Sequence, residues 1–188
     1  MENELIGNWK RKNRTKIYNN NWISVFHDEV INPNGGEGIY GVVHYKNLAI
    51  GVIPIDEKGY TWLVGQHRYP QNKFSWEIPE GGGPLAIDPL ASAKRELQEE
   101  VGLAANTWEL ILEMDLSNSV SDERALIYIA KDLYEVEKMP EETEELHLRH
   151  LPFAEAYQMV LAGEITDSMS VAGILKASLL LERKGSAH

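Results

Sequence analysis

The stretch Asp88–Leu103, "DPLASAKRELQEEVGL", decides how the rest of the chain is read. Asp88 is a good helix N-cap, Pro89 suits the first helical position, and Gly102 suits the left-handed residue that ends a helix. The spacing predicts one helix from Asp88 to Gly102, with Leu90, Ala93, Leu97 and Val101 as its apolar stripe. A helix advances about 100° per residue, so Glu96, Glu99 and Glu100 share one arc of roughly 100° beside that stripe. Glu96 has the helical spacing to both of the others at which like charges cost roughly 0.2–0.5 kcal/mol each. Either the carboxylates are a solvated face, eased by the i,i+4 pairing of Arg95 with Glu99, or a cation sits among them.

Upstream, the chain reads as strands. Ile23–Val30 alternates apolar and polar residues, as a half-buried strand does. "NPNGGEG" at Asn32–Gly38 is turn chemistry, and Ile39–Tyr45, Leu48–Ile55 and Tyr60–Gln66 follow as strands. Asp56-Glu57-Lys58-Gly59 reads as a hairpin turn between the last two. Downstream, strands are predicted over Trp108–Met114, Ala125–Ala130 and Leu146–Leu151. Helices are predicted over Pro152–Leu161 and from about Asp167. Mixed strands, a helix, strands and two helices make an α+β chain, or an α/β/α sandwich with a mixed β-sheet.

Bulk properties bound the function. The chain has 188 residues, enough for one domain with an appendage. A net charge of −11 argues against a general nucleic-acid binder, because phosphate backbones need basic surface. An anionic substrate then needs a local basic patch or a metal. There are no cysteines, which excludes disulfides, thiolate zinc sites and cysteine nucleophiles. The opening Met1-Glu2-Asn3-Glu4 lacks the basic and apolar regions of a signal peptide, and no apolar run approaches a membrane span. The expectation is a cytoplasmic protein with no membrane partner.

Before the helix stands "WEIPEGGGPLAID", Trp76–Asp88, whose three glycines permit close backbone approach to a ligand or metal. Gly81, Arg95-Glu96-Leu97, Glu99-Glu100 and Gly102-Leu103 together resemble the Nudix box, G-x5-E-x7-R-E-U-x-E-E-x-G-U, with U a bulky aliphatic residue. One position departs: Ile87 stands where the box has its first glutamate. The resemblance implies that the glutamate face binds Mg²⁺, with Mn²⁺ as an alternative, to grip a pyrophosphate. Clustered carboxylates are hard oxygen ligands suited to those ions. It implies Glu96, Glu100 and Glu99 as metal ligands, joined by the main-chain carbonyl of Glu80, with Arg95 orienting a glutamate.

"GQHRYP", "WEIPEGG" and "AYQMVLAGEITDSMSVAGILKASL" resemble the ADP-ribose and nucleoside diphosphate sugar pyrophosphatase branch of that family. Members carry an N-terminal antiparallel β region that is exchanged between subunits of a homodimer. The resemblance implies such an arm over residues 1–45 and a Nudix domain over 46–188. It also implies a late acidic loop, "PEETEELHLRH", where Glu142 or Glu144 serves as metal ligand or general base. A solvated acidic loop is the plainer reading of that segment. Arg68 is a phosphate- or substrate-binding candidate or an exposed strand-end arginine, and Glu77 is an acidic residue near the metal or a buried strand-end polar group. Tyr18 and Trp22, beside five basic residues, either stack on a nucleobase or pack on a strand. Asn118 replaces a proline usual in the ADP-ribose branch, while Glu123 keeps its acidic position. This leaves GDP-mannose and similar sugars as credible as ADP-ribose. The rivals are a Nudix hydrolase of dinucleoside polyphosphates or damaged nucleotides, and a nucleotide-sugar sensor without turnover.

Overall fold

The computed structural model describes residues 4–139 and 145–185. Two compact units emerge from its contacts. One comprises Met1–Leu48 with Asp115–Arg124, the other Ala49–Met114 with Ala125–His188.

The first unit is a four-stranded antiparallel sheet: β1 (Glu4–Ile6), β2 (Trp9–Asn19), β3 (Ile23–Ile31) and β4 (Glu37–Tyr45), in that spatial order. Turn residues make it. The Asn20 side-chain oxygen accepts from the Trp22 and Ile23 amides, and the Asn32 oxygen from those of Asn34 and Gly36. The buried Asp28 of β3 takes a two-pronged bond from Arg14 on β2, at 2.7 Å on each prong. Tyr18 and Trp22 lie on this unit with 53% and 64% of their surface exposed, so neither is packed as a strand core residue.

The segment Asp115–Arg124 clasps β4. The Val43 amide donates to the Val120 carbonyl, Tyr40 Oη to the Ser119 carbonyl, and Asp122 bonds both His44 Nδ1 and the Tyr45 amide.

The second unit holds two sheets. One has the order β8-β5-β10-β9, built from β5 (Asn47–Pro54), β8 (Glu80–Pro84), β9 (Leu103–Leu116) and β10 (Glu123–Glu135), with β5 and β10 parallel. The other is antiparallel, β11-β6-β7, from β6 (Tyr60–Arg68), β7 (Lys73–Glu77) and β11 (His147–Pro152). β5 and β10 read as continuous apolar runs because both faces are covered; Ile50, Val52, Ile53 and Ile127 are fully buried. Helix α3 (Ser168–Gly185) lies on this pair: a side chain at Gly173 would press on Ile127 and Ile53 at 3.2 Å. Helix α2 (Phe153–Leu161) packs on α3, β6 and β11. No helix among the described residues is long and apolar enough to cross a membrane.

The architecture is the expected α+β fold with a mixed sheet, and it differs from the sequence reading in three places. Asp56–Gly59 does turn the chain, with Asp56 Oδ1 accepting from the Lys58 and Tyr60 amides. The flanking strands meet only at the Ile55–Thr61 bridge before diverging into different sheets, so no hairpin ladder forms. Gly81–Gly83 belongs to a strand, β8, despite the poor strand propensity of glycine. Finally, α1 covers only Pro89–Glu96, and Leu97–Val101 forms a single π turn closed by Gly102 at φ 78°. Its signature is the Gly102 amide reaching the Leu97 carbonyl five residues back.

Candidate active site

The π turn, α1 and β8 build the centre of the site. Leu97 and Ala93 are fully buried and fix the helix to the core. Glu96 and Glu100 are buried as well, at 6% and 3% exposure. That burial rules out the solvated-face reading of these two side chains, since isolated carboxylates do not leave water without partners. Glu99 is half-buried at the rim.

β8 is pressed against these carboxylates. The Glu80 amide donates to Glu100 Oε2 at 2.9 Å. A side chain at Gly81 would fall on the Glu96 carboxyl group, so only glycine lets β8 come so close. Arg95 bonds the carboxylates of Glu99 and Glu96 and donates to the Gly82 carbonyl at 2.8 Å. Burial opposes its charge, but the neighbouring carboxylates of Glu96 and Glu99 prevail and raise its pKa further. Arg95 thus orients two glutamates of the box.

A second ionic group adjoins the first. Arg68, at the end of β6, bonds Glu77 through Nε at 3.0 and 3.1 Å and Glu80 Oε1 at 2.8 Å. Burial works against the charged guanidinium, yet the Glu77 bond and the charges of Glu77 and Glu80 outweigh it. Glu80 behaves differently. Burial first, then the Asp167 and Glu77 charges, pushes its carboxyl well above the usual carboxylate range; Arg68 opposes that shift and Glu100 adds to it. Glu80 Oε2 is buried with no hydrogen-bond partner among the described residues. Carboxylate oxygens of Glu77, Glu80 and Asp167 lie within 4.8 Å of one another.

The structure therefore brings Arg68, Glu77, Glu80, Arg95, Glu96, Glu99 and Glu100 into one connected network. Tyr18 and Trp22 belong to the other unit, and Glu142 and Glu144 lie outside the described residues. Sequence reasoning considered only the main-chain carbonyl of Glu80, read Asp167 only as the start of a helix, and passed over Ser170. The helix-capping pattern of "TDSMS" could have marked Asp167, whose Oδ2 accepts from the Ser170 amide at 2.7 Å. Ile87, in the place of the box's first glutamate, is half exposed before α1.

The donor set fits a hard divalent cation. Buried carboxylates crowd one side, the glycines of β8 lie against them, and a buried carboxylate oxygen of Glu80 is left without a hydrogen-bond partner among the described residues.

Comparison with known proteins agrees with this geometry. Residues 9–43 match the profile of a nucleoside diphosphate sugar hydrolase N-terminal domain, and residues 45–169 match the NUDIX domain. The chain is 36% identical over 151 residues to an ADP-ribose pyrophosphatase of Mycobacterium tuberculosis, covering 79% of this chain and 72% of that protein. It is 30% identical to the methanol dehydrogenase activator of Bacillus methanolicus, over 85% of this chain and 86% of that one. The crystal structure of an ADP compounds hydrolase superposes with a TM-score of 0.86 at 18% identity, covering 97% of this chain and 98% of that one, and shares its fold. A buried glutamate pair braced by Arg95, against a glycine strand, within a matched domain of that kind, places the chain in the Nudix hydrolase family, as a pyrophosphatase of the branch that carries the nucleoside diphosphate sugar hydrolase N-terminal domain.

Proposed function

We propose that the protein hydrolyses the diphosphate linkage of nucleoside diphosphate sugars, ADP-ribose among them, to a nucleoside monophosphate and a sugar phosphate, with Mg²⁺ as cofactor. The observation that carries this reading is the burial of Glu96 and Glu100 beside a strand whose Gly81 has no room for a side chain against the Glu96 carboxyl. The names of a relative matched over most of the chain, ADP-ribose pyrophosphatase, and of the N-terminal profile, nucleoside diphosphate sugar hydrolase, support the substrate class.

In this reading Glu96, Glu99 and Glu100 hold the cation, with the β8 backbone at Glu80 supplying a further oxygen. When bound, the ion neutralises diphosphate oxygens and lowers the cost of charge build-up at phosphorus. The chain's own groups set the geometry. The Glu80 amide fixes one oxygen of Glu100, and Arg95 fixes Glu96 and Glu99. Arg68 stands near as the cation for a substrate phosphate, at present engaged by Glu77 and Glu80. Water attacks a phosphorus and gives up its proton to Glu142 or Glu144, or to Glu99 if the loop glutamates are not the base. Tyr18 or Trp22 stacks on the nucleobase.

The test is a product assay on ADP-ribose, GDP-mannose and UDP-glucose. A nucleoside monophosphate and a sugar phosphate are expected from at least one of them, with turnover lost on chelation and restored by Mg²⁺. Turnover of dinucleoside polyphosphates alone would favour the rival enzyme reading, and tight binding without products the sensor.

Residues 1–45 form, in the same proposal, a dimerising arm of a cytoplasmic homodimer, with 46–188 as the catalytic domain. Leu5, Ile17, Trp22 and Ile39 support it: each exposes more than half of its surface on this one small sheet. Light scattering at micromolar concentration is expected to give the mass of two chains. A monomer would sink the idea.

A further inference from the structure

Ile78 and Pro79, between β7 and β8, and Glu80, the first residue of β8, have their backbone groups tied to three separate elements. The Ile78 amide donates to Ser170 Oγ on α3 at 2.9 Å. The Pro79 carbonyl accepts from the Val52 amide on β5 at 2.8 Å, and the Glu80 amide donates to Glu100 on the π turn. Two of these anchors are ordinary parts of the site or the sheet. The Ser170 bond is different, because α3, which begins at Ser168, reaches back to the residue that leads into β8. Ser170 is fully buried and Ile78 is 1% exposed, so water cannot replace the bond. Ile78 is also held by packing: a side chain at Gly51 would meet Ile78 Cδ1 at 2.8 Å and Met169 Cε at 3.1 Å. The Ser170 backbone is itself held, since its amide donates to Asp167 Oδ2 at 2.7 Å. Outside this point, Lys73 Nζ on β7 bonds Thr166 Oγ1 at 2.8 Å.

We infer that Ser170 is a positioning residue for the cation and diphosphate site. It sets the height of residues Ile78 to Glu80, and through the Glu80 amide it sets the Glu100 carboxylate. Without the hydroxyl, the Ile78 amide would be buried unpaired, and the segment would shift to satisfy it. Glu100 would follow, because its oxygen is bonded to that segment. The inference rests on the proposed diphosphate-hydrolase reading of the same site.

The experiment compares Ser170→Ala and Ser170→Cys with wild type. The thiol is somewhat larger than the hydroxyl and accepts hydrogen bonds weakly, so it leaves no void and weakens the bond. Mn²⁺ binding is read by electron paramagnetic resonance without substrate, and amide exchange is read over residues 78–82. The half-saturating Mn²⁺ concentration should rise about tenfold or more in Ser170→Ala, and partway in Ser170→Cys, the size that outer-sphere partners of metal ligands typically show. Exchange at the Ile78 and Glu80 amides should quicken in both, and turnover should recover toward wild type at saturating Mg²⁺. A lowered melting temperature with unchanged Mn²⁺ binding and unchanged exchange would make Ser170 merely structural and overturn the inference. If Ser170→Ala does not fold, Ser170→Cys decides by the same two readings. If wild type turned over no diphosphate, the proposed function would fall, while the exchange comparison would still decide whether Ser170 holds the segment.

Discussion

Glu100→Gln is expected to lower turnover of a nucleoside diphosphate sugar by a hundredfold or more, on the order of 3 kcal/mol of transition-state stabilisation. Glu100 is buried at 3% exposure and presents one oxygen to the Glu80 amide. The glutamine carbonyl can take that same amide, so the backbone of β8 keeps its anchor. What is lost is one negative charge where a divalent cation needs it, and the charged oxygen is the stronger ligand. Folding should survive, because the Glu100 charge is among those that oppose an ionised Glu80, and removing it relieves that repulsion. The check is kcat at saturating Mg²⁺ beside a thermal melt. Near wild-type turnover with an unchanged melt would remove Glu100 from the metal site.

Gly81→Ala should be nearly as damaging to activity while sparing stability. The new methyl would fall on the Glu96 carboxyl, which is the far end of a flexible side chain and can swing away. The protein then folds with Glu96 displaced by an ångström or more, and a misplacement of that size can cost on the order of a hundredfold in rate. Gly83→Ala is the contrast. Its methyl would meet Ile50 Cγ1 at 2.8 Å and Ser92 at 3.1 Å, in packed core, so its cost should appear in the melt. Measuring kcat, Mg²⁺ half-saturation and melting temperature on both variants separates the two. If Gly81→Ala instead lowered the melting temperature and left Mg²⁺ half-saturation alone, β8 would be a structural strand only.

Much of the fold was legible because its signals are local. Asn32 and Asp56 turn the chain through their own side chains, where "NPNGGEG" and Asp56–Gly59 read as turns. Helical spacing puts Glu96, Glu99 and Glu100 beside the apolar stripe, and in the structure Glu96 and Glu100 are buried while Glu99 is half-buried. What escaped depends on tertiary contact. The π turn adds one residue to a hydrogen-bonded loop, and 3.6-residue periodicity over five residues does not distinguish it. β8 is a strand because β5 pairs with it, against glycine's own preference. The approach of Asp167 to Glu80 and the reach of Ser170 to Ile78 join positions more than 80 residues apart, and no spacing rule connects them.

The clasp of Asp115–Arg124 on β4 also bears on how the chain is protected while it folds. β4 ends the order β1-β2-β3-β4, so it is an open edge with unpaired amides and carbonyls. The Val43 amide and carbonyl are taken by Val120 and Asp122, and Tyr40, His44 and Tyr45 are engaged by the same segment. An edge guarded this way cannot recruit a strand from a neighbouring chain at that point. The guard arrives late, because it is synthesised more than seventy residues after the strand it covers. During synthesis the sheet is therefore complete in its hairpins well before its edge is closed, and the interval between the two is when it is most open to wrong pairing.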